Sequence, residues 1–293
     1  MTAISTELSK KLSDAVEKMP AFPKSVQRIL ELSRDINCPP KELVSVIEKD
    51  PVMTMKLLHI INSAYYSFPK QITSVNQSVV YIGLNTIKNM ALSFAVIGVL
   101  PKTNSAGFDL QRYLMHSLTT ASLARLLCQK YCQDGTDPAD CYLAGLLHDF
   151  GKIVFAESMP EEFKKALEYS AEQNIPLHIA EQHVIGIDHS VVGAKLVEKW
   201  QFPKNLSEVI LHHHDKEPPT SSIHYCLFLA DQISKQKLFN NHYDEKTPVI
   251  ELPQSISQRF GNNLEEIVVK LGDLSNVVAE AHAFAQTSKA AQT

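Results

Sequence analysis

The sequence predicts an all-α protein. Apolar residues recur at helical spacing along nearly the whole chain, and strand-like alternation is rare. Helix-start signals also repeat, with an acidic cap followed by proline in the first turn, as at Asp50-Pro51 and Asp137-Pro138.

Taken in order, residues 6–18 form a polar-rich opening helix, and Met19-Pro-Ala-Phe-Pro23 breaks it. A helix follows over 24–33, and Cys38-Pro39-Pro40 starts another that runs to Lys49. Asp50 caps a helix reaching Ala64, Ser74 caps a short one that Gly83 ends, and Asn85 caps a strongly apolar helix over 86–100. These predict a first helical lobe over 15–100. Pro101 to Asp109 is the clearest linker. Asp109 then caps a long helix over 110–132, and a core helix over 138–150 follows. Pro160, Pro176, Asp188 and Pro203 open helices reaching Gln173, Ile185, Trp200 and His214. Residues 215–220 form a loop, and Ser221 or Ser222 caps a helix to Lys237, completing a second lobe over 101–240. The rest, 241–293, reads as an extension: an irregular stretch over 240–255, one amphipathic helix over 264–285 and a disordered tail over 286–293.

Bulk properties narrow the function. A chain of 293 residues that is 44% hydrophobic and 20% charged is an ordinary well-cored composition. A net charge of -4 gives no global basic field for nucleic acid. The longest apolar run, Ala91 to Leu100, is far below the ~20 residues that span a bilayer. Residues 1–12 are too polar for a signal peptide, so a cytoplasmic protein without membrane insertion is expected. No GxGxxG, GxxxxGK[ST] or GxSxG is present, which disfavours dinucleotide, P-loop and nucleophile-elbow chemistry. Five cysteines without a CxxC argue against a disulfide framework. Cys128 and Cys132, one helical turn apart, have a spacing that could suit a metal, but buried free thiols are the better reading.

Chemistry concentrates around Ala144-Gly-Leu-Leu-His148-Asp149-Phe-Gly151-Lys152. Residues 142–147 are unbroken apolar or glycine, which predicts a helix buried on most sides, and Gly151 reads as its left-handed stop. His148 and Asp149 would then sit in the last turn, where free carbonyls and the helix dipole favour a cation. Together they offer one N and one O ligand to a divalent ion. Such a pair alone is unspecific, so other helices must supply the remaining donors. Leu206, Val209 and Ile210 mark a face that continues to His213 and His214. Ile223, Cys226, Leu227 and Ala230 mark another that continues to Asp231. His116 shares a stripe with Thr120, Leu123 and Leu127. Plainer readings exist for each: a satisfied core histidine for His116, a solvated helix end for residues 212–214, a cap for Asp231 and a solvated lysine for Lys152. A buried carboxylate nevertheless needs a partner or a metal. Four helices aiming imidazoles and acids inward is what a metal site in a bundle requires. His178 and His183 read as surface or supporting residues, and His59, His224, His242 and His282 have no context.

The pattern His116, His148-Asp149, Asp231 resembles the four-ligand signature of the HD superfamily of metal-dependent phosphohydrolases. The likeness is closer still to its HDOD (HD-related output) branch. Further carriers are Asp50-Pro51, Lys56 through Asn62-Ser63-Ala64, residues 72–84 with Ser78 where alanine is usual, His189 with Gly193, Trp200 and Pro203, and His213-His214. The resemblance implies an all-α fold of two lobes, the second HD-like. It assigns His116, His148, Asp149 and Asp231 as ligands of one ion, and His189, His213 and His214 to the second ion of binuclear relatives such as HD-GYP phosphodiesterases. Lys152 matches a phosphate-contacting lysine, so Asp149 and Lys152 are the catalytic candidates. No DGxGYP segment follows His214, which argues against cyclic-di-GMP hydrolysis, and Arg112 stands where trinuclear relatives use an acid. The implied function is a bacterial signal-transduction module that binds a protein partner and holds one or two divalent ions (Fe, Mn, Mg, Ni or Zn). The alternative is an active phosphohydrolase on a nucleotide or other phosphoester.

Overall fold

A computed structural model describes residues 6–34, 39–215, 219–238 and 251–290. It contains helices and connecting turns, with no strand among the described residues. The helices are α1 (Thr6–Lys18), α2 (Lys24–Arg34), α3 (Pro40–Glu48), α4 (Pro51–Ile61), α5 (Val75–Ile82), α6 (Leu84–Gly98), α7 (Leu110–Tyr131), α8 (Pro138–Leu147), α9 (Phe150–Ser158), α10 (Pro160–Gln173), α11 (Leu177–Val184), α12 (His189–Lys199), α13 (Lys204–Leu211), α14 (Ser222–Ile233), α15 (Gln254–Phe260), α16 (Leu264–Leu271) and α17 (Ser275–Ala290). A π-helical turn, Ser234–Leu238, extends α14. No single helix among the described residues is long and apolar enough to cross a membrane.

The chain divides into two compact units. The smaller comprises Ala21–Leu100 and Val278–Thr293. Its core is built from the buried stripes of the short helices, including Val26, Ile29, Ile47, Leu57, Ile61, Ile87 and Met90, and Phe94 meets Phe284 at 5.5 Å between ring centroids. Asp50 caps α4 by accepting the Met53 amide at 3.0 Å, and its second oxygen accepts the Ser25 hydroxyl at 2.9 Å. Helix α4 ends at Ile61 rather than at the expected Ala64, because Asn62 turns its side chain onto the backbone. The Asn62 amide donates to Leu58 O and Ile72 O, and its oxygen accepts the Ile72 N–H, all at 2.8 Å. One side chain thus closes the loop between α4 and α5. Asn62→Ala should destabilise the protein by roughly 2–3 kcal/mol, since three hydrogen bonds are lost, two of them to backbone groups that regain water imperfectly. Urea melts would measure this, and Asn62→Asp should resemble alanine because both N–H donors are gone. Helix α6 is entered through Gly83 (φ +81°) rather than through Asn85, since the α5–α6 bend needs a left-handed residue.

The larger unit comprises Met1–Pro20 and Pro101–Val277. This grouping differs from the three-part division expected from sequence. Helix α1 packs on α9 and α12. The Lys199 ammonium donates to the carbonyls of Val16 (2.9 Å) and Glu17 (2.6 Å), and the Trp200 indole donates to Pro20 O at 3.0 Å. These bonds satisfy carbonyls that the helix end leaves open. Long helix α7 lies along α8, and α14 packs on both. At Gly145 the two backbones approach so closely that a Cβ would lie 2.6 Å from Ala121.

Four expectations are corrected here. The core helix stops at Leu147, and a separate helix, α9, begins at Phe150. Gly151 is therefore inside a helix and not a left-handed stop; it is glycine because a Cβ would lie 1.9 Å from the His189 carbonyl oxygen. The single helix expected over 264–285 is two, broken at Gly272 (φ +87°), after which Asp273 accepts the Ser275 amide at 2.9 Å. Helix α15 precedes them, and α17 continues to Ala290 through residues read as a disordered tail. Cys38, residues 216–218 of the expected 215–220 loop, and residues 240–250 of the irregular stretch expected over 240–255 lie outside the described residues.

Candidate metal centre

His148 follows the last residue of α8, and Asp149 occupies the turn into α9 (φ −94°, ψ 4°). The pair therefore sits at a junction of two helices instead of within one last turn. His148 Nδ1–H donates to Gly145 O at 2.8 Å, which leaves Nε2 as the free lone pair. His213 repeats this device, donating from Nδ1 to Ile210 O at 2.6 Å just beyond α13. His189 opens α12 behind the Asp188 cap; its Nδ1–H donates to Glu181 Oε2 at 2.6 Å, and its backbone N–H reaches the same oxygen at 2.8 Å. His116 projects from the middle of α7 with Nδ1 3.0 Å from the Ser234 hydroxyl. In each imidazole one nitrogen is held by a neighbour while Nε2 points inward, the arrangement that orients metal-binding histidines.

The inward atoms form two groups that share Asp149. On the Oδ2 side, His116 Nε2 lies 3.6 Å and His148 Nε2 3.4 Å from Asp149. Those same nitrogens are 3.1 and 3.4 Å from Asp231 Oδ1 and 3.3 Å from each other. On the Oδ1 side, His189 Nε2 lies at 3.1 Å and His213 Nε2 at 3.6 Å, and His214 Nε2 is 2.8 Å from His189 Nε2. All seven residues expected as ligands from the sequence thus converge, as His116–His148–Asp231 and Asp149–His189–His213–His214. Metal–nitrogen bonds of about 2.1 Å in a tetrahedron put donors about 3.4 Å apart, which is the spacing here. Asp149 Oδ1, Asp231 Oδ1 and His213 Nε2 are buried without a hydrogen-bond partner. Orphaned acceptors facing one another are costly unless a cation lies between them, so the donor set fits an ion on either side of Asp149.

Electrostatics agree at three of the imidazoles. Burial holds His116 and His213 below the ordinary imidazole range and His214 well below it, which keeps their nitrogens neutral donors. Burial also opposes protonation of His189, but the Glu181 carboxylate prevails and raises it to about 9, so an ion on that side must displace its Nε2 proton. Burial opposes ionisation of Asp149 and Asp231, yet both lie well below the ordinary carboxylate range, held there by the Lys152 and Lys235 ammonium groups respectively. The Lys152 ammonium is 2.9 Å from Asp149 Oδ2, and Lys235 is 3.0 Å from Asp231 Oδ2.

Three supporting residues were not picked out from the sequence, and a fourth, His178, was read there as surface or supporting. Glu181 is fully buried and orients His189; its signal was present, since Leu177, Ala180 and Glu181 share one face just as Ala230 and Asp231 do. Ser234 and Lys235 reach the site from the π-helical turn, a distortion that often marks functional positions. His178 stacks on His214 with centroids 4.0 Å apart.

An all-α unit with imidazoles and carboxylates converging from several helices defines the class. The HDOD domain model matches residues 19–216, and the chain belongs to the HDOD family. An uncharacterised protein of Treponema pallidum (strain Nichols) is 27% identical over 258 residues, covering 87% of this chain. The chain spans 48% of that relative's length. An HDOD domain protein of unknown function from Geobacter sulfurreducens has a similar structure, with a TM-score of 0.79 at 24% identity, over 96% of this chain and 97% of that one. A proposed signal-transduction protein from Marinobacter aquaeolei VT8 gives 0.75 at 21% identity, over 96% and 66%. At these identities the likeness to the solved structures is one of fold.

Proposed function

We propose that the chain is a cytoplasmic signalling module that works by engaging a protein partner, and that its larger unit holds two divalent ions in a closed, structural centre. The observation that carries this reading is closure: His116, His148, Asp149, Lys152 and His189 are all at 0% exposure. Structural metal sites are closed, whereas catalytic ones keep a position for water and substrate. Lys152, the residue that would meet a phosphate, is instead spent on Asp149. His116, His148, Asp149 and Asp231 would hold one ion, and Asp149, His189, His213 and His214 the other. An imidazole-rich set suits Fe, Ni or Zn better than Mg. The ions would offset two buried carboxylates and tie the folding of α7, α8, α12 and α14 to metal binding.

Phosphoester hydrolysis is the second reading, favoured by the completeness of the donor set and by His214, which is only half-buried at one edge. Bound ions would supply an activated water and polarise a phosphoryl oxygen. Lys152 would have to leave Asp149 to balance charge on the phosphate, and whichever of His189 and His213 is not ligated would hold the proton.

Metal content by mass spectrometry, followed by assay on a phosphoester panel with an Asp149→Ala control, separates the two. The signalling reading expects bound metal and no Asp149-dependent turnover; hydrolysis that disappears with Asp149 would overturn it. Glu181→Gln provides a finer check. Losing the carboxylate behind His189 should weaken retention of the second ion by about 10–100-fold, read by competition with a chromogenic chelator.

A further inference from the structure

A second group of soft donors lies in the larger unit, away from the imidazoles. Cys128 is in the last turn of α7, and Cys132 follows one turn later, its amide donating to Cys128 O at 2.9 Å. Gly135 (φ +80°) turns the chain back into α8, which carries Cys141, and α14 brings in Cys226. The Cys132 and Cys226 sulfurs are 3.6 Å apart, and those of Cys128, Cys132 and Cys226 all lie within 4.8 Å of one another. Three of the chain's five cysteines, from α7, the residue that ends it and α14, therefore meet at one point. Cys128 and Cys226 are buried and Cys132 is half-buried.

We propose that Cys128, Cys132 and Cys226 form a three-thiolate site for one soft divalent ion of the zinc class, with water completing the tetrahedron, separate from the imidazole–carboxylate centre. Zinc–sulfur bonds of about 2.3 Å in a tetrahedron place sulfurs about 3.8 Å apart, close to the Cys132–Cys226 spacing. A cluster with inorganic sulfide between the metals and the thiolates would hold the sulfurs further apart. A disulfide would require the pair to close to about 2.05 Å. Binding converts the thiols to thiolates and releases their protons to solvent. The site's role follows from its helices. Helices α7 and α14 also carry His116 and Asp231. At about 1.5 Å per residue, Cys128 sits roughly 18 Å along α7 from His116 and Cys226 roughly 8 Å along α14 from Asp231. A metal at the thiols would clamp these two helices together away from those ligands. The sequence hid this because Cys132 and Cys226 are 94 positions apart.

The test uses the full chain, stripped with chelator and reloaded anaerobically with Co²⁺. A thiolate-to-cobalt charge-transfer band in the near ultraviolet is expected, because a site of nitrogen and oxygen donors gives none. Cys132→Ser, at the half-buried position, should remove most of that band, and Zn²⁺ should displace it. On the unmodified chain, Zn²⁺ should slow alkylation of Cys128, Cys132 and Cys226 by N-ethylmaleimide by about tenfold, read by peptide mass spectrometry; this arm needs no variant. No charge-transfer band, alkylation indifferent to Zn²⁺, or a Cys132–Cys226 disulfide in the anaerobically purified chain would each overturn the proposal.

Discussion

Asp149→Ala is expected to abolish retention of both ions at the imidazole–carboxylate centre and to destabilise the protein by roughly 3–5 kcal/mol. Both effects have one cause. The two oxygens of Asp149 face different donor groups, His116 and His148 on one side and His189 and His213 on the other. The carboxylate also neutralises Lys152, which has no exposure of its own. Removing it leaves a buried ammonium and the His189 imidazole short of a partner, and a buried charge without compensation costs more than a surface pair is worth. Asp149→Asn should keep most of the packing and still lose the metal. Comparing urea midpoints and metal content across the two variants therefore separates the structural loss from the ligand loss. If Asp149→Asn retained the wild-type complement of ions, Asp149 would not be the bridge.

Gly151→Ala should cost about 3 kcal/mol or more, a large effect for one methyl group. The added carbon would lie 1.9 Å from the His189 carbonyl oxygen and 2.7 Å from its carbon, and both atoms are backbone at the start of α12. Neither can rotate away, so α9 and α12 must separate. That movement would carry His189 off Glu181 and Asp149, so ion retention on the Oδ1 side should fall together with the melting temperature. Gly193→Ala is the matched comparison. There the new carbon meets a side-chain methyl of Ile210 at 3.2 Å, which can yield. Its loss in a thermal melt should be clearly the smaller of the two, and equal losses would contradict the close-approach explanation.

The all-α fold was legible because its signals are local. Asp109, Asp137 and Asp188 each accept amides from the turn they cap, and Ser74 caps α5, as their positions in the sequence suggested. The inward histidines and acids were legible because helical periodicity carries a buried stripe onto a polar residue. What stayed hidden depends on a partner element. Nothing near Gly151 announces that the His189 carbonyl will press against it, so the glycine passed for a stop. His213 and His214 continue the face of α13 in sequence, yet they sit beyond the helix end, where His213 caps Ile210. Ser234 and Lys235 point to the site only because α14 widens into a π-helical turn. The thiols fall in the same category: one pair is visible as a helical turn, and the third arrives from a helix that local spacing cannot relate.

Anomalous diffraction from crystals of the chain soaked in Mn²⁺ tests the two-ion centre most directly, because manganese favours nitrogen and oxygen donors over the thiols. Two peaks are expected, one among His116, His148, Asp149 and Asp231 and the other among Asp149, His189, His213 and His214. No peak within reach of either Asp149 oxygen would contradict the account.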